Sequence, residues 1–180
     1  SGNVITVEWL LNEARDLIKK NFKCSDKIVE QIGQAAVKYA LLKSGIGQDV
    51  VFDFDKSISF DGNSGPYLQY TYARAKSVLA KANIQQGPAL PDGKNGPLNQ
   101  EEVILLRTLY KYEEVVIQAA DELAPNLVAN FIYDVAQKFN SFYNQHKIVG
   151  NDFRLWLTSA TAEILKRGLN LLGIDAPEKM

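Results

Sequence analysis

The sequence has little of the chemistry that most enzymes need. It contains one cysteine, Cys24, and one histidine, His146, which stand in unrelated contexts. One cysteine allows no internal disulfide, so a reducing compartment is the expected environment. No P-loop, dinucleotide-binding glycine motif or GxSxG nucleophile motif occurs. The residues alone therefore predict neither a catalytic residue nor a metal site.

Long apolar runs and an excess of one charge are also absent. The apolar runs are far too short to span a bilayer, and the N-terminal stretch interleaves them with Glu and Asp, unlike a signal peptide. We therefore expect a cytoplasmic protein without a membrane partner. The 20 Lys and Arg residues nearly balance the 21 Asp and Glu residues, for a net charge of −1. Any contact with RNA would have to use a local patch and stacking, since no global basic field exists.

Helical spacing of apolar residues is present almost throughout the chain. We expect a first helix that ends near Asn21 and a second that is capped by Ser25 and stopped by Gly45. A third helix should begin at Ser64 and Pro66, because serine caps helices and proline is tolerated in the first turn.

The second half of the chain predicts three more helices. Asn99 and Glu102 form a capping box that opens a fourth helix, roughly 100–122. Pro125 opens a fifth, roughly 125–146, and Asp152 caps a sixth that Gly173 closes.

Two stretches between the predicted helices lack helical spacing of apolar residues. Residues 49–60 predict an extended connector or a short strand, and the Gly- and Pro-rich residues 87–97 predict a loop. The expected fold is all-α: a bundle of about four helices over 65–173, preceded by a smaller helical segment.

The stretch GPYLQYTYAR, residues 65–74, places Tyr67, Tyr70 and Arg74 on one side of the third helix. Tyrosine faces can receive unpaired bases, while Gln69 or Arg74 bonds a base edge or a phosphate. Ordinary packing explains the same residues, with the tyrosine hydroxyls at the surface and Arg74 paired to a carboxylate. Taken alone, the stretch favours packing.

A second aromatic and amide cluster is QKFNSFYNQHK, residues 137–147. It could also read single-stranded bases. We expect Phe139 and Phe142 to lie in the core and leave Tyr143 open. His146 is expected to be an exposed residue at the helix end, interacting with the helix dipole.

Two pairs of charged residues have ordinary structural explanations. Lys166 and Arg167 could contact phosphate, which would make binding salt-dependent, although such residues near a helix C-terminus are usually just solvated. Asp53 and Asp55 are better explained by a polar turn than by acid–base chemistry or a metal.

Three segments in order carry a family resemblance. SISFDGNSGPYLQYTYARAKSVLAKA (57–82) resembles the signature with which arginyl-tRNA synthetases enter their anticodon-binding domain. FNSFY (139–143) and LKRGLNLLGIDAPEKM (165–180) resemble later segments of that family. The opening GNV and the acidic helix after it are similar to the sequence that follows the family's KMSKS-like loop. Over essentially its whole length the chain resembles the C-terminal part of such a synthetase, and Ser1 in place of Met suggests a processed product or an expressed fragment.

The resemblance implies a domain organisation and a function. Residues 1–60 would be the tail of the catalytic domain, and residues 61–180 a DALR-type anticodon-binding bundle. The family comprises class I ligases that activate arginine with ATP and magnesium and attach it to its tRNA. The chain lacks the HIGH-like motif and the KMSKS-like loop, so this part is expected to bind arginine tRNA without a cofactor and without catalysis. We also expect it to be a monomer.

The resemblance also implies site residues. By motif position, the surface for the anticodon would be shaped by Tyr67, Tyr70, Arg74, Tyr143 and Met180. Lys147, which stands where the family sometimes has an aromatic, joins Lys166 and Arg167 as a candidate phosphate contact. Two alternatives remain: a free-standing helical RNA-binding module, and a protein-interaction bundle that uses Trp9 and Trp156.

Overall fold

The computed structural model describes residues 6–84 and 96–180, and every regular element in these ranges is a helix. The predicted all-α fold is thus confirmed. Most of the predicted loop 87–97 lies outside the described residues. In chain order the helices are α1 Val7–Asn21, α2 Asp26–Leu42, α3 Phe54–Ser57, α4 Gly65–Lys81, α5 Gln100–Tyr110, α6 Tyr112–Asp121, α7 Pro125–Gln145 and α8 Asp152–Leu171.

The predicted helix starts are mostly confirmed, because each is encoded by a local hydrogen bond. The side chains of Ser25 and Ser64 accept hydrogen bonds from backbone amides in the first turns of α2 and α4. Asn99 and Glu102 form the reciprocal capping box of α5, with donor–acceptor distances of 3.0 and 2.9 Å. At α8 the prediction was wrong by one residue: Asn151 is the cap and Asp152 is the first helical residue.

The extended segment predicted at 49–60 is instead interrupted by the short helix α3. Asp53 caps it by accepting a hydrogen bond from the Lys56 amide at 3.1 Å, which agrees with a polar turn at this position. The alternation of apolar residues in this segment suggested a strand, but its aromatic side chains pack on their neighbours. The ring centroid of Phe54 lies 5.8 Å from that of Trp9 and 4.9 Å from that of Phe52. Tertiary packing therefore overrides the local pattern.

The predicted fourth helix is two helices that meet at Lys111. There the Lys111 amide donates a hydrogen bond to the Thr108 carbonyl oxygen at 3.1 Å, three residues back, and both helices pack against α7. The break brings the ring of Tyr112 to 6.0 Å from that of Phe131 and leaves Tyr110 exposed to solvent.

Helix α2 is shared between two apolar clusters. One side packs against α1 and the segment around α3, forming a small cluster that includes Ala14, Ile18 and Ile32. The other side, with Ala35 and Tyr39, belongs to the main core that α4 to α8 build. Gly65 begins α4 so close to α2 that a Cβ there would collide with the Ala35 carbonyl oxygen. This contact fixes where α4 starts.

Candidate nucleic-acid interface

A concavity opens where α4, the C-terminal end of α7 and the chain terminus meet. Its volume is about 430 Å³. Four of the five residues that motif resemblance assigned to an anticodon surface line it, and three others join them. The lining residues are Tyr70, Ala73, Arg74, Ser77, Tyr143, Lys179 and Met180.

Arg74 lies between two tyrosine rings in this concavity. Its guanidinium carbon is 4.7 Å from the ring centroid of Tyr70 and 5.0 Å from that of Tyr143. The guanidinium donates hydrogen bonds to the Asn140 side-chain oxygen and, at 3.2 Å, to the Tyr70 hydroxyl. Within the described residues Arg74 bonds to an amide and a hydroxyl, and not to the carboxylate that ordinary packing predicted. Stacking of a cation on aromatic faces is worth ~0.5–1 kcal/mol at exposed sites and fixes the rings relative to each other.

Tyr67 stands behind the concavity and does not line it. Its ring is half-buried and lies edge-on to Tyr133, with 5.8 Å between centroids. The Asn140 amide donates to the Tyr67 hydroxyl at 2.9 Å and to Thr71 at 3.0 Å. Burial raises the pKa of Tyr67, so its hydroxyl stays protonated at neutral pH. Tyr67 thereby helps to orient Asn140, which in turn holds Arg74.

The C-terminal tail reaches the concavity by crossing α2 and α4. Gly173 turns the chain at the end of α8 with a φ of 66°, a conformation that glycine adopts readily, and Ile174 is then buried. Lys38 donates a hydrogen bond to the Gly173 carbonyl oxygen, and the ammonium of Lys76 lies 3.1 Å from Glu178. These contacts hold the tail against α2 and α4, so that Met180 lies beside Tyr70 and Arg74.

Gln69 is a further tie and not a base-reading residue. The prediction that it bonds base edges or phosphate is wrong, because its side chain is fully buried at 0% exposure. Its amide nitrogen donates to the Asp175 carbonyl oxygen at 2.8 Å and to the Gln31 carbonyl oxygen at 3.2 Å. Its side-chain oxygen has no hydrogen-bond partner among the described residues. Gln69 thus joins α4, α2 and the tail from inside.

The three candidate phosphate contacts do not line the concavity. Lys147, Lys166 and Arg167 are all exposed. Arg167 pairs with Glu163 at 2.6 Å, one turn earlier on α8. The structure therefore leaves these cations apart from the tyrosines, and Lys179 is the lysine that reaches the concavity.

The end of α7 differs from the prediction at His146. Its imidazole is half-buried, lies 3.1 Å from the Glu101 carboxylate and packs 5.7 Å from the Phe142 ring centroid. The expected exposed helix-end histidine is wrong, because α5 approaches this end of α7. The hydrogen bond from His146 lowers the pKa of Glu101. Phe139 and Phe142 are fully buried, as predicted.

Sequence reasoning missed Ser77 and Lys179 as neighbours of the tyrosines. Ser77 stands three residues after Arg74 and shares its side of α4, a spacing that the sequence displays. Lys179 adjoins Met180, but its proximity to α4 depends on the path of the tail. For Asn140, the sequence showed an amide near Tyr143 without indicating that it holds Arg74.

Nothing in the described ranges, 6–84 and 96–180, fits a metal ion. These residues include no group of three or more His, Cys, Asp and Glu side chains placed to hold one. No helix described there is long and apolar enough to cross a membrane.

Comparisons with known proteins show which family the chain belongs to. The chain is similar to the arginine–tRNA ligase of Clostridium perfringens, at 41% identity over 99% of this chain and 34% of the relative. It is also similar to the arginine–tRNA ligase of Clostridium botulinum (strain Langeland), at 37% identity over 100% of this chain and 34% of the relative. The chain thus spans about a third of the length of the curated relatives that it matches.

Solved structures of arginyl-tRNA synthetases are also similar to this chain. The arginyl-tRNA synthetase of Thermus thermophilus matches with a TM-score of 0.86 and 28% identity, over 100% of this chain and 33% of the other. That of Plasmodium falciparum matches with a TM-score of 0.82 and 25% identity, over 98% and 34%. A family model described as the DALR anticodon binding domain matches residues 68–180. The chain therefore belongs to the DALR anticodon-binding domain family.

Proposed function

We propose that the chain is the C-terminal part of an arginine–tRNA ligase and that its concavity binds the anticodon loop of an arginine tRNA. The observation that carries this proposal is the guanidinium of Arg74 between the rings of Tyr70 and Tyr143, beside Met180. The complete protein would be a cytoplasmic class I synthetase that activates arginine with ATP and attaches it to the tRNA. The similarity to arginine–tRNA ligases supports that activity.

The groups in the concavity suit unstacked bases. Tyr70 is 40% exposed and Tyr143 is half-buried, so each offers ring surface to a base displaced from the loop. Stacking of a base on an aromatic side chain is worth ~1–3 kcal/mol and works for every base. Met180, also 40% exposed, adds an apolar and polarisable edge. Because stacking supplies most of the affinity, a net charge of −1 is compatible with RNA binding.

The proposal assigns residues 1–60 to the tail of a catalytic domain and residues 61–180 to the anticodon-binding bundle. The first segment carries exposed large apolar side chains: Ile46 is 78% and Val51 is 91% exposed, and Trp9 is partly exposed. Residues 61–180 also expose such side chains, among them Tyr110 and Leu123, so the proposed division rests on the motif resemblance. The described residues hold no cluster of acidic or histidine side chains for a magnesium ion, and in this proposal ATP and magnesium bind to the rest of a monomeric enzyme.

The test is a binding titration of the 180-residue chain with the anticodon stem-loop of an arginine tRNA. Replacing Tyr143 by Ala should weaken binding at least fivefold, because one stacking surface worth ~1–3 kcal/mol is lost. The melting temperature should change little, since Tyr143 is only half-buried. Tyr110→Ala is the matched control: its ring is 90% exposed on α5, and its loss should not alter binding.

A stem-loop with a mismatched anticodon separates the alternatives. The proposal expects weaker binding to this RNA than to the arginine stem-loop. Equal binding of both would indicate a free-standing module with general RNA affinity. An unchanged affinity in Tyr143→Ala would contradict the proposed site, and no binding of either RNA would favour a protein-interaction bundle.

A further inference from the structure

A second cavity adjoins the concavity along α4. Its volume is about 410 Å³, and Ser77 and Lys179 line both cavities, so that the two form one continuous groove. The groove extends from Tyr70 to beyond Ala80. Ten residues of α-helix span ~15 Å at about 1.5 Å per residue. Stacked nucleotides in one strand are only about 3.4 Å apart, so the groove is long enough for more than one nucleotide.

The second cavity carries different chemistry from the first. Two lysines, a glutamate, an asparagine and a serine line it together with two apolar residues: Lys76, Lys179, Glu178, Asn83, Ser77, Ala80 and Ile84. None of these groups offers a stacking surface. Ammonium groups are phosphate binders, whereas carboxylates accept hydrogen bonds from the amino groups of bases.

The ion pair in this cavity can exchange its partners. The Lys76 ammonium lies 3.1 Å from Glu178, and the two side chains are 31% and 64% exposed. A partly exposed pair contributes little to stability, and the contacts of Lys38 and Gln69 still hold the tail without it, so a ligand that offers an anion to Lys76 and a donor to Glu178 can replace the pair at small cost. A nucleotide with an amino-bearing base offers both.

We propose that the second cavity is a nucleotide subsite for a neighbour of the base stacked in the concavity. Lys76 and Lys179 bind its phosphate, and Glu178 accepts a hydrogen bond from its base amino group. This inference rests on the proposed function and adds a preference to it. Adenine, cytosine and guanine carry an amino group and uracil does not, so the subsite disfavours uridine.

The phosphate contact is tested by the salt dependence of binding. The probe is the arginine anticodon stem-loop, titrated against the 180-residue chain between 50 and 200 mM salt. Each phosphate contact to a single strand contributes about 0.7 to the slope of log affinity against log salt. Lys76→Gln, which lines only the second cavity, should lower the slope by that amount and weaken binding about three- to fivefold at low salt. Lys111→Gln, an exposed lysine between α5 and α6, should leave the slope unchanged.

The base contact is tested by replacing each unpaired loop nucleotide by uridine in turn. For the wild-type chain, uridine at one position should weaken binding about tenfold or more, as expected for one lost hydrogen bond to a charged group. In Glu178→Gln the same replacement should cost less than about twofold, because an amide both donates and accepts. Glu163→Gln, an exposed glutamate paired with Arg167 on α8, should keep the wild-type penalty.

The outcomes distinguish this inference from the proposed function. An unchanged salt slope in Lys76→Gln, or uridine penalties that Glu178→Gln leaves unaltered, overturns the subsite. If Tyr143→Ala still weakens binding in that case, the anticodon site itself stands. If the wild-type chain does not bind the arginine stem-loop, both proposals fall.

Discussion

Two grooves on the helical bundle expose tyrosine, and they differ in the sign of their charge. The concavity between α4 and α7 combines Tyr70 and Tyr143 with Arg74 and Lys179. The groove on the outer side of α6, about 650 Å³, is lined by Tyr110, Glu113, Glu114, Ile117, Gln118, Asp121 and Glu122, without Lys or Arg among these residues. The net charge of −1 therefore does not show that the chain has two local surfaces of opposite sign. Local charge, and not the total, selects the groove that can receive a polyanion.

The two grooves differ equally in how their side chains are held. Arg74 is fixed by Asn140, by the Tyr70 hydroxyl and by two ring faces. Tyr110 on the acidic groove is 90% exposed. Side chains that are ordered before binding lose less entropy when a ligand arrives. The concavity is therefore positive and preorganised, whereas the groove on α6 is acidic and its tyrosine side chain is largely exposed.

The largest effect should come from removing the centre of the positive site. Arg74→Ala takes away the group that orders both tyrosines and a positive charge, and should lower affinity for the arginine stem-loop about tenfold to a hundredfold, or ~1.4–2.8 kcal/mol. Fluorescence anisotropy with labelled RNA measures this change. Arg107→Ala, an exposed arginine of α5, is the control. An equal loss in both variants would show that only total charge matters.

The next effect concerns Gln69, the buried residue whose hydrogen bonds join α4, α2 and the C-terminal tail. Gln69→Ala removes the donor from the carbonyl oxygens of Gln31 and Asp175, which should lower the free energy of unfolding by about 1–3 kcal/mol. Because the tail carries Met180, RNA affinity should also fall. Urea denaturation and RNA titration measure the two effects. Gln118→Ala, exposed on α6, should change neither. A stable variant with wild-type affinity would contradict the role of Gln69.

A smaller effect is expected from reversing the charge of the acidic groove. The double change Glu113→Lys and Glu114→Lys should raise affinity for any RNA about two- to threefold at low salt, through exposed charge pairs. It should not create discrimination between anticodons, since the groove lacks ordered ring faces. Parallel titrations with the arginine and the mismatched stem-loop check this. Improved discrimination would mean that charge alone is sufficient.

The smallest effect concerns pH and the contact between α5 and the end of α7. The hydrogen bond from His146 holds the pKa of Glu101 below its ordinary value of 4.5. A carboxylate with a depressed folded-state pKa stabilises the fold above the unfolded value and loses this contribution as pH falls through the folded one. Glu101→Gln should therefore reduce the melting temperature slightly at pH 6 and leave it unchanged in strong acid. A constant difference at all pH values would contradict this.

Local signals in the sequence predicted most of the fold. Ser25, Ser64 and the pair Asn99–Glu102 are read correctly because a cap is satisfied within three residues of itself. The break at Lys111 was missed because local spacing does not show that Tyr112 packs on Phe131. The helix α3 was missed although Asp53 caps it locally, because the alternation over 49–60 resembles a strand and the contact of Phe54 with Trp9 is long-range.

The candidate site was predicted only as far as motif resemblance reaches. Tyr70 and Arg74 share one side of a helix, which spacing reveals, but their meeting with Tyr143 and Met180 requires the tertiary fold. Gln69 was misread because the sequence does not show that the tail covers it. Whether a polar residue faces solvent depends on long-range packing, which periodicity does not encode.

Met180 allows the most direct test of the central claim, because it is the single methionine of the chain. With a ¹³C-labelled methionine methyl group, one NMR signal reports from the edge of the concavity. The account predicts that saturation with the arginine stem-loop shifts this signal upfield through the ring current of a bound base, and that Tyr143→Ala weakens the response. A methyl signal that stays in place while the RNA is demonstrably bound would contradict the account.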